Sequence, residues 1–324
     1  MIRYLLRRAG NIALMLLGVS ILMFLLSAAA PGDVLSEARM NPQISPETLQ
    51  AMRVQYGLDQ PLPTRYWKWL SSVAHGNLGY SFLYNLPASS LLWPRALNTL
   101  LLTVPALFLS WAIALPLGVL AAARKGSWID RIFSAGTSTL LAVPDLLLAL
   151  LVLVFALRTH AFPVGGMNSH DTSDFGWWTT ILDTAWHMVL PVTVLVVGSI
   201  PTIIRHVRAS MIEVLGSSYM KAAEGHGLSR FTLLYRYALP AAANPLITLF
   251  GLSVAALLSV SLLVEVVMSW PGMGPLLVEA ILSRDLFVVI GATMLSILLM
   301  GVGNLFADLL LYTVDPRIRV QHES

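Results

Sequence analysis

The sequence predicts an all-α polytopic membrane protein with six transmembrane helices and a partly helical extramembrane insertion. Three observations predict it. Of 324 residues, 56% are hydrophobic and only 11% charged, against about 25% charged in globular domains. Six apolar stretches each reach the roughly 20 residues that a helix needs to cross a bilayer. The basic residues gather in alternate loops, the asymmetry expected of a multi-pass chain.

Read between charges, the spans are 9–32, 96–123, 132–157, 184–204, 237–264 and 286–307. The first is too long for a removed signal peptide, and its small-residue pattern makes no convincing cleavage site, so it reads as a retained helix. Only the third carries an internal acid, Asp145, and only the fourth a histidine, His187. Six spans put both termini on one side. That side holds thirteen of the twenty basic residues: Arg3, Arg7, Arg8, Arg124, Lys125, Arg131, Arg205, Arg208, Lys221, Arg230, Arg236, Arg317 and Arg319. Both termini are therefore expected in the cytoplasm.

Segment 33–95 is the main insertion and is expected to face outward. Ser45-Pro46-Glu47 reads as a helix start, running to about Tyr56 and stopping at Gly57. A second amphipathic piece after Pro63 carries Tyr66, Trp67, Trp69 and Leu70. Those aromatics read as an interfacial belt, with contact to a partner protein as the other reading. His75-Gly76-Asn77-Leu78-Gly79 reads as a turn. A second outward loop runs from Arg158 to Asp183, and a third surrounds Ser269-Trp270-Pro271-Gly272-Met273-Gly274, followed by a short helix over Pro275 to Ser283.

On the inner side, segment 205–240 is long and mostly polar. Ile212, Leu215, Tyr219 and Ala222 recur at helical spacing, and Phe231, Leu234, Tyr235, Ala238 and Leu239 repeat the pattern beyond Gly227. Two amphipathic helices joined at a glycine pair follow from this, since Gly225 and Gly227 can adopt positive φ. From pattern alone, a helix lying on the membrane face accounts for the segment as well.

Lys221-Ala222-Ala223-Glu224-Gly225-His226-Gly227, with Tyr237-Ala238-Leu239-Pro240 at its fixed distance, resembles the loop by which permease subunits of ATP-binding-cassette importers dock their ATPases. The likeness covers nearly the whole chain. Pro31-Gly32-Asp33, His75-Gly76-x-Leu78-Gly79, His187-Met188-x-Leu190-Pro191 and Arg205-x-x-Arg208-x-Ser210-Met211 all fit. So do Glu265-x-x-x-Ser269-Trp270-Pro271-Gly272-x-Gly274 and Asp308-Leu309-Leu310 followed by Asp315-Pro316-Arg317. In this order the motifs are similar to those of the dipeptide, oligopeptide and nickel importer permeases, specifically the partner with the long first outward loop. The resemblance implies a type I importer fold with a cytoplasmic coupling helix, in a bacterial inner membrane. It implies Tyr219, Lys221, Ala222, Ala223, Glu224, Gly227, Leu239 and Pro240 as the ATPase-docking residues. It also implies a homologous second permease, two ATPase subunits that hold ATP and magnesium, and an extracytoplasmic solute-binding protein. The carried solute would be a peptide or a relative such as a nickel chelate.

A charge at the bilayer centre costs at least about 2.5 kcal/mol on insertion scales, so Asp145 must face protein or water. Two readings stand: a helix-packing partner or an acid bonded to backbone freed by Pro144, or a lining of a solute path that accepts a peptide amine or cation. Glu265 is either a shaper of the outer gate or a plain interfacial carboxylate. The rival function is an ion-coupled secondary transporter using Asp145. The chain lacks G-x-x-x-x-G-K-[ST], H-E-x-x-H and G-x-S-x-G, so neither a phosphate cradle nor a hydrolase centre is expected in it. It has no cysteine, and its six non-terminal histidines show no i, i+4 pairing, which leaves no expected metal site and no cofactor of its own. Its net charge of +3 is explained by the bilayer rather than by nucleic acid.

Overall fold

Reading between charges locates the lipid-length core of each helix but not its ends. In the computed structural model, which describes residues 2–29, 45–55, 59–81, 83–169 and 176–314, several helices run straight through charged positions. The elements in chain order are α1 (Ile2–Ala29), α2 (Pro46–Gln55), α3 (Leu62–Ala74), β1 (Tyr80–Ser81), β2 (Leu86–Pro87) and α4 (Ala88–Ala123). There follow α5 (Trp128–Leu141), α6 (Asp145–Thr159), α7 (Trp177–Leu215), α8 (Ser218–Gly225), α9 (Ala243–Val267), α10 (Met273–Leu282) and α11 (Leu286–Val314). Between α8 and α9 lie an α-helical turn (Arg230–Thr232), a π-helical stretch (Leu233–Ala238) and a second short turn (Leu239–Ala241). The expectations at Pro31-Gly32-Asp33, Tyr56-Gly57 and Asp315-Pro316-Arg317 lie outside the described residues.

Among the described residues, five helices are long and apolar enough to cross a membrane, six if α5 and α6 form one bent span. The run 132–157 is not one straight helix. It breaks at Ala142-Val143-Pro144, and its halves meet at 93°. Pro144 supplies no N–H and pushes Val143 out of the α region, so the helix must end and restart. Asp145 therefore opens α6 instead of sitting inside a span. The fifth span starts later than its apolar run, at Ala243. The fourth is embedded in a helix of 39 residues that contains Pro191 and Pro201 without breaking.

The described residues divide between two units, drawn from Met1–Asn98 with Gly272–Leu299 and from Thr99–Pro271 with Met300–Ser324. In the first, Phe24 of α1 is buried with Trp69 of α3 and with Leu286 and Ile290 of α11. Its ring lies 5.2 Å from those of both Tyr66 and Trp69. The Ser20 and Tyr66 hydroxyls are 3.0 Å apart, and Trp69 Nε1 donates to the Leu78 carbonyl at 3.1 Å. The aromatic run of α3 is thus mostly core and not an interfacial belt: only Trp67, 70% exposed, faces out. A short β1–β2 hairpin, which the sequence did not announce, pairs Tyr80 with Pro87. Buried Asp285 staples it, accepting from Ser81 Oγ at 2.5 Å and from the Leu83 N–H at 3.3 Å. Gly79 enters the hairpin at φ 110° with Phe287 so close that a Cβ would sit 2.7 Å from its ring.

In the second unit α7 is the central post. Val194 and Leu195 of α7 are buried with Leu102 and Ala106 of α4, Ala149 and Ala156 of α6, and Leu257 and Val264 of α9. Further along, Ile203, Ile204, Val207 and Met211 are buried with Ala114 and Val119 of α4 and Leu246 of α9. Gly251 and Gly303 let α9 and α11 approach closely, since added Cβ atoms would meet Ala307 and Val254 at 2.8 and 2.3 Å.

Candidate functional site

Two features of the second unit bear on function: the segment 205–240 and a cavity beside Asp145. The segment is built on a firm base. Met220 of α8, Leu233 and Ala238 are buried in one cluster with Val207 and Met211 of α7 and Leu246 of α9. Ile212 and Leu215, expected on one helix with Tyr219 and Ala222, instead end α7, and the chain turns at Gly216-Ser217 before α8 begins. Ser217 and Ser229 precede the two helical pieces, and Ser229 Oγ accepts from the Thr232 N–H at 3.2 Å. The guanidinium of Arg230 donates to the Ala123 carbonyl at the end of α4.

The glycine hinge is a single residue. Gly225 closes α8 in helical conformation, and only Gly227 turns left-handed, at φ 73°. Beyond it the second amphipathic helix is not regular, because Leu233–Ala238 is π-helical. Pro240 explains this: in a regular α-helix its ring would clash with the Arg236 carbonyl, and the wider π turn relieves the conflict.

The expected docking residues do not all face the same way. Tyr219, Lys221, Ala222, Glu224, Gly227 and Pro240 are exposed. Ala223 and Leu239 are half-buried and pack on the cluster below, so they support the surface rather than form it. Phe231, 71% exposed, and Tyr235 extend the outer face, their rings 4.7 Å apart. Their helical spacing was legible, but it gave no sign that the face is turned outward.

A bidentate ion pair missed by the sequence reading ties the start of α5 to α7. Arg208 Nε and Nη2 donate to Asp130 at 2.5 and 2.9 Å, and the Gly126 N–H donates to the same carboxylate at 2.9 Å. The one available signal was Ser127-x-x-Asp130, a helix-start pattern in which Ser127 Oγ accepts from the Asp130 N–H at 3.4 Å.

Asp145 lies half-buried on a partly open cavity of about 540 Å³ whose walls come from α5, α6, α7 and α9. Its carboxylate makes no hydrogen bond or ion pair to any described residue, which removes the reading of an acid bonded to freed backbone. The N–H groups of the first turn of α6 favour a negative charge there. Gly198 makes the space: a Cβ at that position would stand 2.8 Å from Asp145 Oδ1. Ser199, Thr202, His206 and Ser253 add polar groups, and the rest of the lining is apolar. Glu265 is elsewhere. It is fully buried at the end of α9, under the turn in which the Trp270 N–H donates to its main-chain carbonyl at 2.9 Å, so it is neither an interfacial carboxylate nor part of this cavity.

Comparison with known proteins identifies the family and the fold. The model of the family described as binding-protein-dependent transport system inner membrane component matches residues 114–320, and the corresponding N-terminal family matches residues 1–92. The chain is 35% identical to an oligopeptide transport system permease protein of Bacillus subtilis, over 98% of this chain and 99% of that one. It is 36% identical to a putative peptide permease protein of Brucella suis (99% and 100% covered) and 33% to a dipeptide transport system permease protein of Escherichia coli (98% and 99%). Among solved structures, an inward-facing form of the MetNI methionine transporter matches the fold with a TM-score of 0.57 at 19% identity, covering 70% of this chain and 97% of that one.

Proposed function

The chain belongs to the binding-protein-dependent transport system inner membrane component family, and from that premise we propose that it imports peptides as one half of an ATP-driven permease. Its termini lie in the cytoplasm, and a homologous permease completes the pathway. Two ATPase subunits hold ATP and magnesium and press on segment 205–240, while an extracytoplasmic protein delivers the solute.

The observation that carries this reading is the form of that segment. A short helix and a π-helical stretch are clamped from below by Met220, Leu233 and Ala238, yet leave Tyr219, Phe231 and Tyr235 exposed on top. A rigid base beneath an exposed aromatic face suits an element that receives force, because aromatic side chains anchor interfaces at low entropic cost. Closure of the ATPases on ATP would shift this element, and α7 would carry the shift to the cavity beside Asp145, which lies on the solute path. The docking residues are then Tyr219, Lys221, Ala222, Glu224, Gly227 and Pro240, with Phe231 and Tyr235 added to them.

Mild solubilisation and pull-down of this chain tests the reading. Two nucleotide-binding polypeptides are expected to follow it, and Tyr219→Ala with Phe231→Ala is expected to release them. Peptide uptake by the chain alone in proteoliposomes, without ATPases and driven by a proton gradient, would overturn it in favour of ion coupling.

A further inference from the structure

We propose that Asp145 selects for an ammonium group: in transit, the protonated amino terminus of a peptide pauses against its carboxylate. The inference rests on the reading of the cavity as part of a peptide path.

The carboxylate is half-buried at the cavity with no partner among the described residues, and Gly198 keeps the space beside it open. Among the described residues, Asp145 is the one carboxylate of the lining, and no lysine or arginine lines the cavity to neutralise it. The other ionisable group among those lining residues, His206, is engaged through Nδ1 with the Thr202 carbonyl at 2.8 Å. Intramembrane acids facing cavities mark the paths of cations and solutes.

The break in the span adds acceptors of a second kind. It ends α5 at Leu141, and the last carbonyls of a helix lack intrahelical partners; the Leu140 carbonyl accepts from the Val143 N–H at 3.1 Å, whereas those of Leu141 and Val143, two residues that line the cavity, take no backbone N–H among the described residues. An ammonium has three donors and no acceptor, which suits a carboxylate beside main-chain carbonyls at a broken helix. The remaining walls, such as Leu195, Leu252 and Leu257, offer no hydrogen bonds from their side chains. A site of this kind reads a group that free peptides have in common and leaves their side chains undiscriminated.

The absence of cysteine makes the test direct, because one engineered thiol is the only one in the chain. Thr202→Cys places it on the cavity, one turn along α7 from Gly198. In the complete transporter in nanodiscs, intact-mass measurement of this chain follows modification by trimethylammonioethyl and sulfonatoethyl methanethiosulfonates. With Asp145 present, the cationic reagent should be favoured on the order of tenfold over its preference for free mercaptoethanol. Asp145→Asn should erase that preference and Asp145→Glu should keep it. Millimolar alanyl-alanine should slow the cationic reagent, and N-acetyl-alanyl-alanine should not. Equal reactivity toward both reagents, or equal protection by both dipeptides, would overturn the ammonium assignment while leaving the path intact. A thiol that reacts with neither reagent during ATP turnover would instead remove the cavity from the path, and this proposal with it.

Discussion

Gly227 offers a test in which steric and conformational effects separate. Its φ is 73°, and a Cβ added there would meet no atom within 4 Å. Replacement therefore creates no clash, and the whole cost is that of holding an L-residue in the left-handed region. That cost is about 1–2 kcal/mol for an ordinary side chain and more for a β-branched one, whereas Asn and Asp visit the region far more readily. Gly227→Val is thus expected to depopulate the turn by roughly 5- to 30-fold, and Gly227→Asn by far less. The turn sits between α8 and Arg230, and the Gly227 N–H donates to the Glu224 carbonyl at 3.0 Å. Losing it is expected to alter how Tyr219 and Lys221 of α8 are set against Phe231 beyond the turn. The assay is ATPase retention on the immobilised permease, followed by peptide uptake. Val should lower both several-fold, Asn should approach wild type, and the melting temperature of the solubilised protein should barely move. Equal effects of Val and Asn, or a melting temperature that falls in step with uptake, would refute the assignment of this turn to docking.

Three further outcomes are expected. Trp69→Ala should destabilise the solubilised protein by about 3–5 kcal/mol, while Trp67→Ala, removing an exposed ring, should change it by about 0.5 kcal/mol or less; thermal melts distinguish them. Burial, and then the hydrogen bond to Glu279, push the Tyr84 phenol up to about 12. A raised folded value means that its contribution is intact below the ordinary phenol value of 10.0 and is lost as pH climbs toward 12. Wild type should therefore lose stability across that window relative to Tyr84→Phe, measured as melting temperature against pH. Removing Arg208 leaves Asp130, only 7% exposed, without its charge partner. Arg208→Ala should accordingly cost more than the double variant Asp130→Ala with Arg208→Ala, by about 1–3 kcal/mol, in the same melts.

How far the sequence could be read depended on whether the deciding term was local. Apolar length placed the cores of α1, α4, α7, α9 and α11 because a bilayer fixes that length directly. It missed the ends because Arg95 within α4 and Arg205 and Arg208 within α7 interrupt the hydropathy without interrupting the helix. The break at Pro144 carried a local cue, yet Pro191 and Pro201 carry the same cue inside an unbroken helix. Tertiary packing decides between them. Tyr66 and Trp69 looked like belt residues because composition cannot tell a ring that faces lipid from one that meets Phe24. At the docking segment, residue types and spacing located the surface, but which of Ala222 and Ala223 points outward depended on the turn at Gly216-Ser217. The open flank of Asp145 is set by Gly198, more than fifty positions away, and no local pattern announces it.

One helix joins the two features on which the proposed function depends. Gly198 and Thr202 of α7 line the cavity, and Val207 and Met211 of the same helix clamp Met220 beneath the docking face. From Gly198 to Leu215 an unbroken α-helix spans about 25 Å at 1.5 Å per residue, so a push on α8 reaches Asp145 without crossing a flexible joint. The Asp130–Arg208 pair fastens the start of α5 to this post. The far end of α5 meets α6 at the 93° break where Asp145 stands. A shift of the docking segment therefore acts on both sides of the carboxylate: α7 moves the Gly198 wall, and α5 moves the break itself. On the proposed reading, that arrangement would change the width of the cavity beside Asp145 when the ATPases close. Asp130→Ala should then uncouple ATP hydrolysis from uptake, lowering peptides moved per ATP while leaving ATPase retention intact. An unchanged ratio in proteoliposomes would show that α7 alone transmits the stroke.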